Sequence, residues 1–189
     1  MMNGIRTIRK SVNKFATRLI LNIIMEKLSP CNIIKFMATA TELIERLKEK
    51  KLKLVTAESC TGGLIAATLT AIPGSSEVYD CGFIVYSNEA KIDLLGVPKE
   101  LIKKHGAVSR EVAESIARGA CRKENTSISV AATGVAGPAS SEHKPVGLVY
   151  IAVCYQGKVR VNENHLSGSR TEIQAETVSR AFDLILSVI

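Results

Sequence analysis

The chain has 189 residues, 46% hydrophobic and 23% charged, with no tryptophan and few aromatics. That composition argues for a soluble globular chain with an aliphatic core, and against aromatic platforms for single-stranded nucleic acid. The net charge of +7 sits almost wholly in residues 1–36, where seven basic residues stand against one acid; the rest holds 18 against 17, which argues against a nucleic-acid partner.

Residues 1–36 are basic, poor in acids and moderately apolar. Three readings stay open: an amphipathic targeting or membrane-surface segment, an extra helix, or a start called too early with Met37 the true one. "LILNII" is too short to span a bilayer, and no small-residue cleavage site follows it. We therefore expect a basic extension over 1–37, a single domain over 38–189 and no membrane partner.

From residue 39 the elements follow in order. Thr39-Ala-Thr-Glu42 has the capping-box pattern, and Leu43, Ile44 and Leu47 recur at helical spacing, so a helix is predicted over 40–50. "KLKLVTA" reads as a strand. Ser59 or Thr61 then starts a helix that Pro73-Gly74 stops. "VYDCGFIVY" is a second strand, and Asn88 to Leu95 a helix ended by a Gly96-Val-Pro98 break. Ser109 caps a helix with Val112, Ile116 and Ala120 on one face. "SISVAA" is a buried strand running into the small-residue loop Thr133-Gly134-Val-Ala-Gly137-Pro138. "GLVYIAVCY" and "KVRVNENHL" flank Gln156-Gly157 as a hairpin. Ser169 and Glu172 form a capping box for the last helix. Helices and strands interleave and a hairpin follows, which predicts an α/β domain of stacked layers with a mixed sheet.

The five cysteines, Cys31, Cys60, Cys81, Cys121 and Cys154, are far apart and contain no C-x-x-C pair. That argues against a disulfide framework or zinc knuckle and for a reducing compartment. His105, His143 and His165 lack metal-ligand spacing, so no metal is expected.

The chemistry gathers in "TAESCTGG", residues 56–63. Ligand sites in open α/β sheets lie at the carboxyl ends of strands, where a following helix offers unpaired N–H groups. Ser59 would stand at such a corner. Gly62 and Gly63 would bare the first turn, so its amides could hold an oxyanion. Taken alone, the same residues are better explained by a plain Ser or Thr N-cap with packing glycines. Nothing suggests a Ser-His-Asp triad. A lysine with a depressed pKa can replace the histidine, and Lys91, after Tyr86 in "VYSNEAK", is the candidate. Taken singly, Lys91 reads as a surface charge and Tyr86 as a core residue. Cys60 reads as buried filler or as a rival nucleophile.

Taken together, "TAESCTGG", "IVYSNEAK", "LLGV", "GAVS", "ATGVAGP", "KPVGLVYIA" and "GSRTEI" resemble the CinA C-terminal domain family, in family order across nearly all of residues 40–189. The resemblance is to its stand-alone members, the nicotinamide-nucleotide amidohydrolases. It implies a single-domain three-layer α/β/α sandwich with a mixed β-sheet, commonly in homo-oligomers, located in the cytoplasm. It also implies deamidation of nicotinamide mononucleotide (NMN) to nicotinic acid mononucleotide and ammonia, without metal or cofactor. By motif, Ser59 is the nucleophile, Lys91 the general base and Tyr86 a hydrogen-bonding partner in proton transfer. Cys60, Thr61, Gly62 and Gly63, with Thr133, Gly134 and Gly137 of the "ATGVAGP" loop, are expected to bind substrate. Arg170 is a candidate for the phosphate or for lowering the Lys91 pKa. A nucleotide-binding module without turnover, or an amidase for another amide, stays open. Two departures bear on substrate identity. "ASSEH" replaces a glycine-rich run after Pro138, and Gln174 stands where a second arginine is usual.

Overall fold

Period-two alternation of apolar residues makes the sheet two-faced, and the structure uses both faces. The computed structural model describes residues 30–122 and 126–189. The expectations for residues 1–29 lie outside the described residues. Helix α1 (Pro30–Glu49) leads into β1 (Leu54–Glu58), α2 (Leu64–Thr70), a 3-10 turn (Ser75–Glu77) and β2 (Tyr79–Ile84). Then come α3 (Asn88–Leu95), α4 (Lys99–His105), α5 (Arg110–Cys121) and β3 (Ile128–Gly134). The hairpin β4 (Leu148–Tyr155) and β5 (Lys158–His165) precedes the final helix, α6 (Arg170–Leu186).

The strand order is β2-β1-β3-β4-β5. Strand β1 runs parallel to β2 and β3, while β4 pairs antiparallel with β3 and β5. The sheet is therefore mixed. In β3, Ile128, Val130 and Ala132 face a core shared with α1, α2 and α6, where Leu43, Ile65 and Phe182 are fully buried. Ala131 faces the opposite core, formed with α5 residues such as Val112, Ile116 and Ala117. Strand β4 alternates likewise, with Val149, Ile151 and Val153 on one side and Leu148, Tyr150 and Ala152 on the other. The result is the expected three-layer α/β/α sandwich, folded as one domain.

Register brings the functional edge together. Glu58 pairs with Ile84 on one side and with Ala132 on the other. The carboxyl ends of β1, β2 and β3 thus finish level, so the residues that follow them emerge side by side.

Local patterns placed some boundaries and missed others. Ser109 accepts from the Val112 amide at 3.3 Å, and Ser169 with Glu172 forms a complete capping box, both as expected. The Thr39–Glu42 pattern does not start a helix, because α1 already runs from Pro30. Proline suits a first helical position, and Thr41 Oγ1 instead donates to the Met37 carbonyl at 2.9 Å, one turn back within the helix. The short helix α4 follows Pro98, where only a break was expected.

Candidate active site

The site begins at the end of β1. Every residue of that strand is buried, and Glu58 is buried with it. Its carboxylate turns onto the start of α2. Oε2 accepts from the amides of Gly63 and Ile65, both at 3.0 Å, and Oε1 from Ala66 at 2.8 Å. These are the amides a helix start leaves without partners, and a negative charge there also complements the helix dipole. No side chain of residues 59–63 caps the helix. Gly63 is the N-cap residue, at φ 101, and Gly62 is also left-handed, at φ 61.

This arrangement corrects the reading of the corner. The helix begins at Leu64 rather than at Ser59 or Thr61. The α2 amides expected to face a ligand are occupied by Glu58. Thr61, Gly62 and Gly63 do not line the cleft described below. Thr61 is buried, and its Oγ1 finds no partner among the described residues. The glycines serve the turn itself: Gly62 N–H donates to the Ser59 carbonyl at 3.2 Å, and Leu64 N–H to that of Thr61 at 3.2 Å. The Cys60 and Thr61 amides, directly after Ser59, donate to no other described backbone carbonyl. Of the two, the Cys60 amide belongs to a residue that lines the cleft.

Ser59 is buried at the cleft floor, its amide tied to the Ala132 carbonyl at 2.9 Å. Cys60 lines the same floor. Burial pushes its thiol up to about 12, so at neutral pH it is a protonated thiol rather than a thiolate nucleophile.

Lys91 is 1% exposed, which sets aside the reading of a solvated surface charge. It lies in the first turns of α3, a helix capped by Ser87 Oγ accepting from the Ala90 amide at 3.0 Å. The Lys91 Nζ donates to the carbonyls of Val85 (3.0 Å), Tyr86 (3.1 Å) and Ser87 (3.2 Å). Burial lowers its pKa below the ordinary lysine value, while the nearby Glu142 carboxylate pulls the other way. Val85 in turn donates its amide to the Glu58 carbonyl at 2.8 Å, which ties the lysine's cradle to the strand that presents Ser59.

Tyr86 is exposed rather than a core residue. Its hydroxyl accepts from Arg170 Nη2 at 3.4 Å, and Arg170 Nη1 donates to the Gly137 carbonyl at 2.8 Å. The guanidinium thus bridges the loops after β2 and β3 from the first turn of α6. Thr133 is buried, with Oγ1 donating to the Ala107 carbonyl at 2.9 Å. At Gly134 a Cβ would fall 2.8 Å from the Leu148 carbonyl oxygen, so only glycine permits that approach.

Ser59, Cys60, Tyr86, Lys91, Thr133, Gly134, Gly137 and Arg170 all line one cleft of about 270 Å³. Of the residues expected at the site, only Thr61, Gly62 and Gly63 stand outside it. Several lining residues were missed. Asn88, Val108 and Glu142 also line the cleft. Val108 lies in the quoted "GAVS", and Glu142 in the departing "ASSEH", so each had a signal. Gln174, the other departure, donates from Nε2 to the Cys60 carbonyl at 2.8 Å and braces the turn after Ser59. Among the described residues no three His, Cys, Asp or Glu side chains gather at metal-holding distance. No described helix is long and apolar enough to cross a membrane.

Sequence comparison agrees with this architecture. Residues 37–189 match the CinA C-terminal domain. The chain belongs to the CinA C-terminal domain family. This CinA domain is 51% identical over 144 residues to a protein of Caldicellulosiruptor bescii named as competence-damage inducible, covering 76% of this chain and 35% of that one. A protein of the same name from Clostridium acetobutylicum is 46% identical over 140 residues, covering 74% and 34%. The chain therefore spans about a third of the length of the curated relatives it matches. Solved structures match at nearly their full length. The competence/damage inducible protein CihA of Agrobacterium tumefaciens superposes with a TM-score of 0.78 at 43% identity, covering 81% of this chain and 94% of that one. A CinA superfamily protein of Escherichia coli gives 0.80 at 30% identity, covering 86% and 94%.

Proposed function

We propose that this CinA domain is a metal-independent amidohydrolase that deamidates NMN to nicotinic acid mononucleotide and ammonia. The observation that carries the reading is the meeting of Ser59, Lys91, Tyr86 and Arg170 in one cleft. They come from the ends of two strands, the first turns of one helix and the start of another.

In this reading the carboxamide carbonyl lies over Ser59, with its oxygen toward the Cys60 amide. Lys91, in its neutral form, takes the Ser59 proton as Oγ attacks the carbonyl carbon. The carbon–nitrogen bond breaks, the lysine returns a proton, and ammonia leaves. Water then attacks the ester, Ser59 recovers its proton, and the carboxylic acid departs. Burial favours the neutral amine. The three carbonyls favour the ammonium, so the base is set by the balance between them. Tyr86, steadied by Arg170, stands in hydrogen-bonding position at the rim, and the Arg170 guanidinium suits a phosphate.

One observation favours a second reading. All three Lys91 N–H groups have carbonyl acceptors, the pattern of an ammonium that secures a loop around a bound nucleotide without turnover.

The deciding experiment is ammonia release from NMN by the purified chain, with chelator present, beside Ser59→Ala and Lys91→Ala. The amidohydrolase reading expects turnover in the parent chain and a loss of at least about a thousandfold in each folded variant. NMN binding without ammonia release would establish the binding module instead. Turnover that survives Ser59→Ala would refute the serine mechanism.

A further inference from the structure

The loop between β3 and β4 carries a feature that the proposed chemistry does not use. Residues 141–144 close a tight turn, with Ser141 N–H donating to the Lys144 carbonyl at 3.3 Å and Lys144 N–H to that of Ser141 at 2.8 Å. Its two central residues, Glu142 and His143, both have positive φ, 52° and 58°. Glycine or asparagine is the ordinary occupant of such positions, and side chains there carry strain that the surroundings must hold in place.

What the turn achieves is the placement of a carboxylate. Glu142 is the one acidic residue lining the cleft among the described residues. Its Oε2 accepts at 3.2 Å from the amide of Val108, on the segment between α4 and α5. A Cβ at Gly106 would stand 2.6 Å from the same oxygen, so the absence of a side chain there leaves room for it. The other oxygen, Oε1, makes no hydrogen bond to a described residue.

Neither cation of the cleft neutralises Glu142 by contact. The Lys91 ammonium hydrogens point to three backbone carbonyls, and Arg170 points to Gly137 and Tyr86. No ion pair of the described residues includes Glu142. The cleft therefore offers a guanidinium at one loop and an anion with a free oxygen at another, with the serine between elements that carry them. Such a pair suits a ligand that carries both signs of charge.

We propose that Glu142 forms a cation subsite and selects carboxamides borne on a positively charged ring. The inference rests on the amidohydrolase reading and sharpens its substrate class. In a pyridinium-3-carboxamide the ring nitrogen lies two bonds from the carbon that bears the amide. The positive charge is thus within one ring of the reacting carbonyl. Glu142, which lines the same cleft as Ser59 and Lys91, is the anion that cleft offers to such a charge. A neutral dihydropyridine of the same outline would forgo the attraction and keep every other contact.

The test is calorimetry on the full chain carrying Ser59→Ala, so that ligand is not consumed. The probes are NMN and its reduced form, which differ in ring charge. We expect NMN to bind about tenfold more tightly than the reduced form, an attraction of about 1.4 kcal/mol. Adding Glu142→Gln should bring the two affinities within about twofold, while Glu142→Asp should keep part of the preference. Circular dichroism on each variant checks that the fold is intact. Equal affinities in Ser59→Ala alone, a preference that survives Glu142→Gln, or no binding of either form would each overturn the subsite. Failure of the catalytic reading looks different. The chain with Ser59 present would release no ammonia, while the Glu142-dependent preference for the cationic ring stood.

Discussion

Glu58 directly precedes Ser59 and Glu142 lines the cleft, and the two glutamates are used in opposite ways. Glu58 ends a buried strand, and both its oxygens are taken by three amides of α2. Glu142 sits exposed on a loop that lines the cleft, one oxygen on the Val108 amide and the other without a hydrogen bond to a described residue. The same side chain is scaffold in one place and recognition surface in the other. The difference lies in how many backbone donors each neighbourhood leaves unpaired. A helix start supplies several, and a loop crossing beside Val108 supplies one. A carboxylate near a candidate nucleophile is thus not by itself a sign of acid–base chemistry.

The largest effect expected from breaking this contrast is at Glu58. Glu58→Ala leaves one buried and two half-buried amides without their acceptor and should cost about 2–4 kcal/mol in urea unfolding, at roughly 1–3 kcal/mol for the buried group and less for the others. A loss under about 1 kcal/mol would show that water replaces the carboxylate and that the corner is not sealed. Next is Gly63→Ala. The residue has φ 101, and a Cβ would meet the Ile84 side chain at 3.0 Å, so a cost of about 1–2 kcal/mol is expected. A stabilised variant would mean that the turn can re-form without a left-handed residue.

Gln174→Ala removes one hydrogen bond to the Cys60 carbonyl and should cost about 0.5–1.5 kcal/mol, with a matching small fall in turnover as the Ser59 turn loosens. The smallest stability change is expected for Glu142→Gln, within about 0.5 kcal/mol. Its signature is in pH dependence instead. Burial lowers the Lys91 pKa and Glu142 raises it. Under the proposed mechanism, in which the neutral amine is the base, amide turnover should rise with pH through the Lys91 pKa, with its midpoint below the ordinary lysine value. Removing the Glu142 charge should move that rising limb to lower pH. A profile that stays in place would separate Glu142 from the lysine and leave it with substrate alone.

The comparison with sequence reading follows the same division. Continuous apolar runs such as "GLVYIAVCY" and the Ser169–Glu172 box announced a sandwich with a mixed sheet, because apolar runs and capping are local properties. The Thr39–Glu42 box misled for the same reason: a local pattern cannot tell that a helix has already begun at Pro30. At the site, Ser59, Tyr86, Lys91 and Arg170 were identifiable from residue type and family resemblance. Nothing in their spacing required them to share a cleft. The partners of Glu58 were not legible, since they lie five to eight residues ahead, around a turn whose direction depends on Gly62 and Gly63.

By itself, the sequence determined which residues alternate, which helices are capped and which family the motifs resemble. These follow from backbone geometry and side-chain type within a few neighbours. Tertiary structure alone decided where each charge goes. It brought the strand ends level through the Glu58–Ile84 and Glu58–Ala132 register, closed the α2 amides with Glu58, cradled Lys91 in three carbonyls and swung Glu142 to Val108. Electrostatic roles depend on burial and on partners distant in the chain, and both arise only when the layers pack.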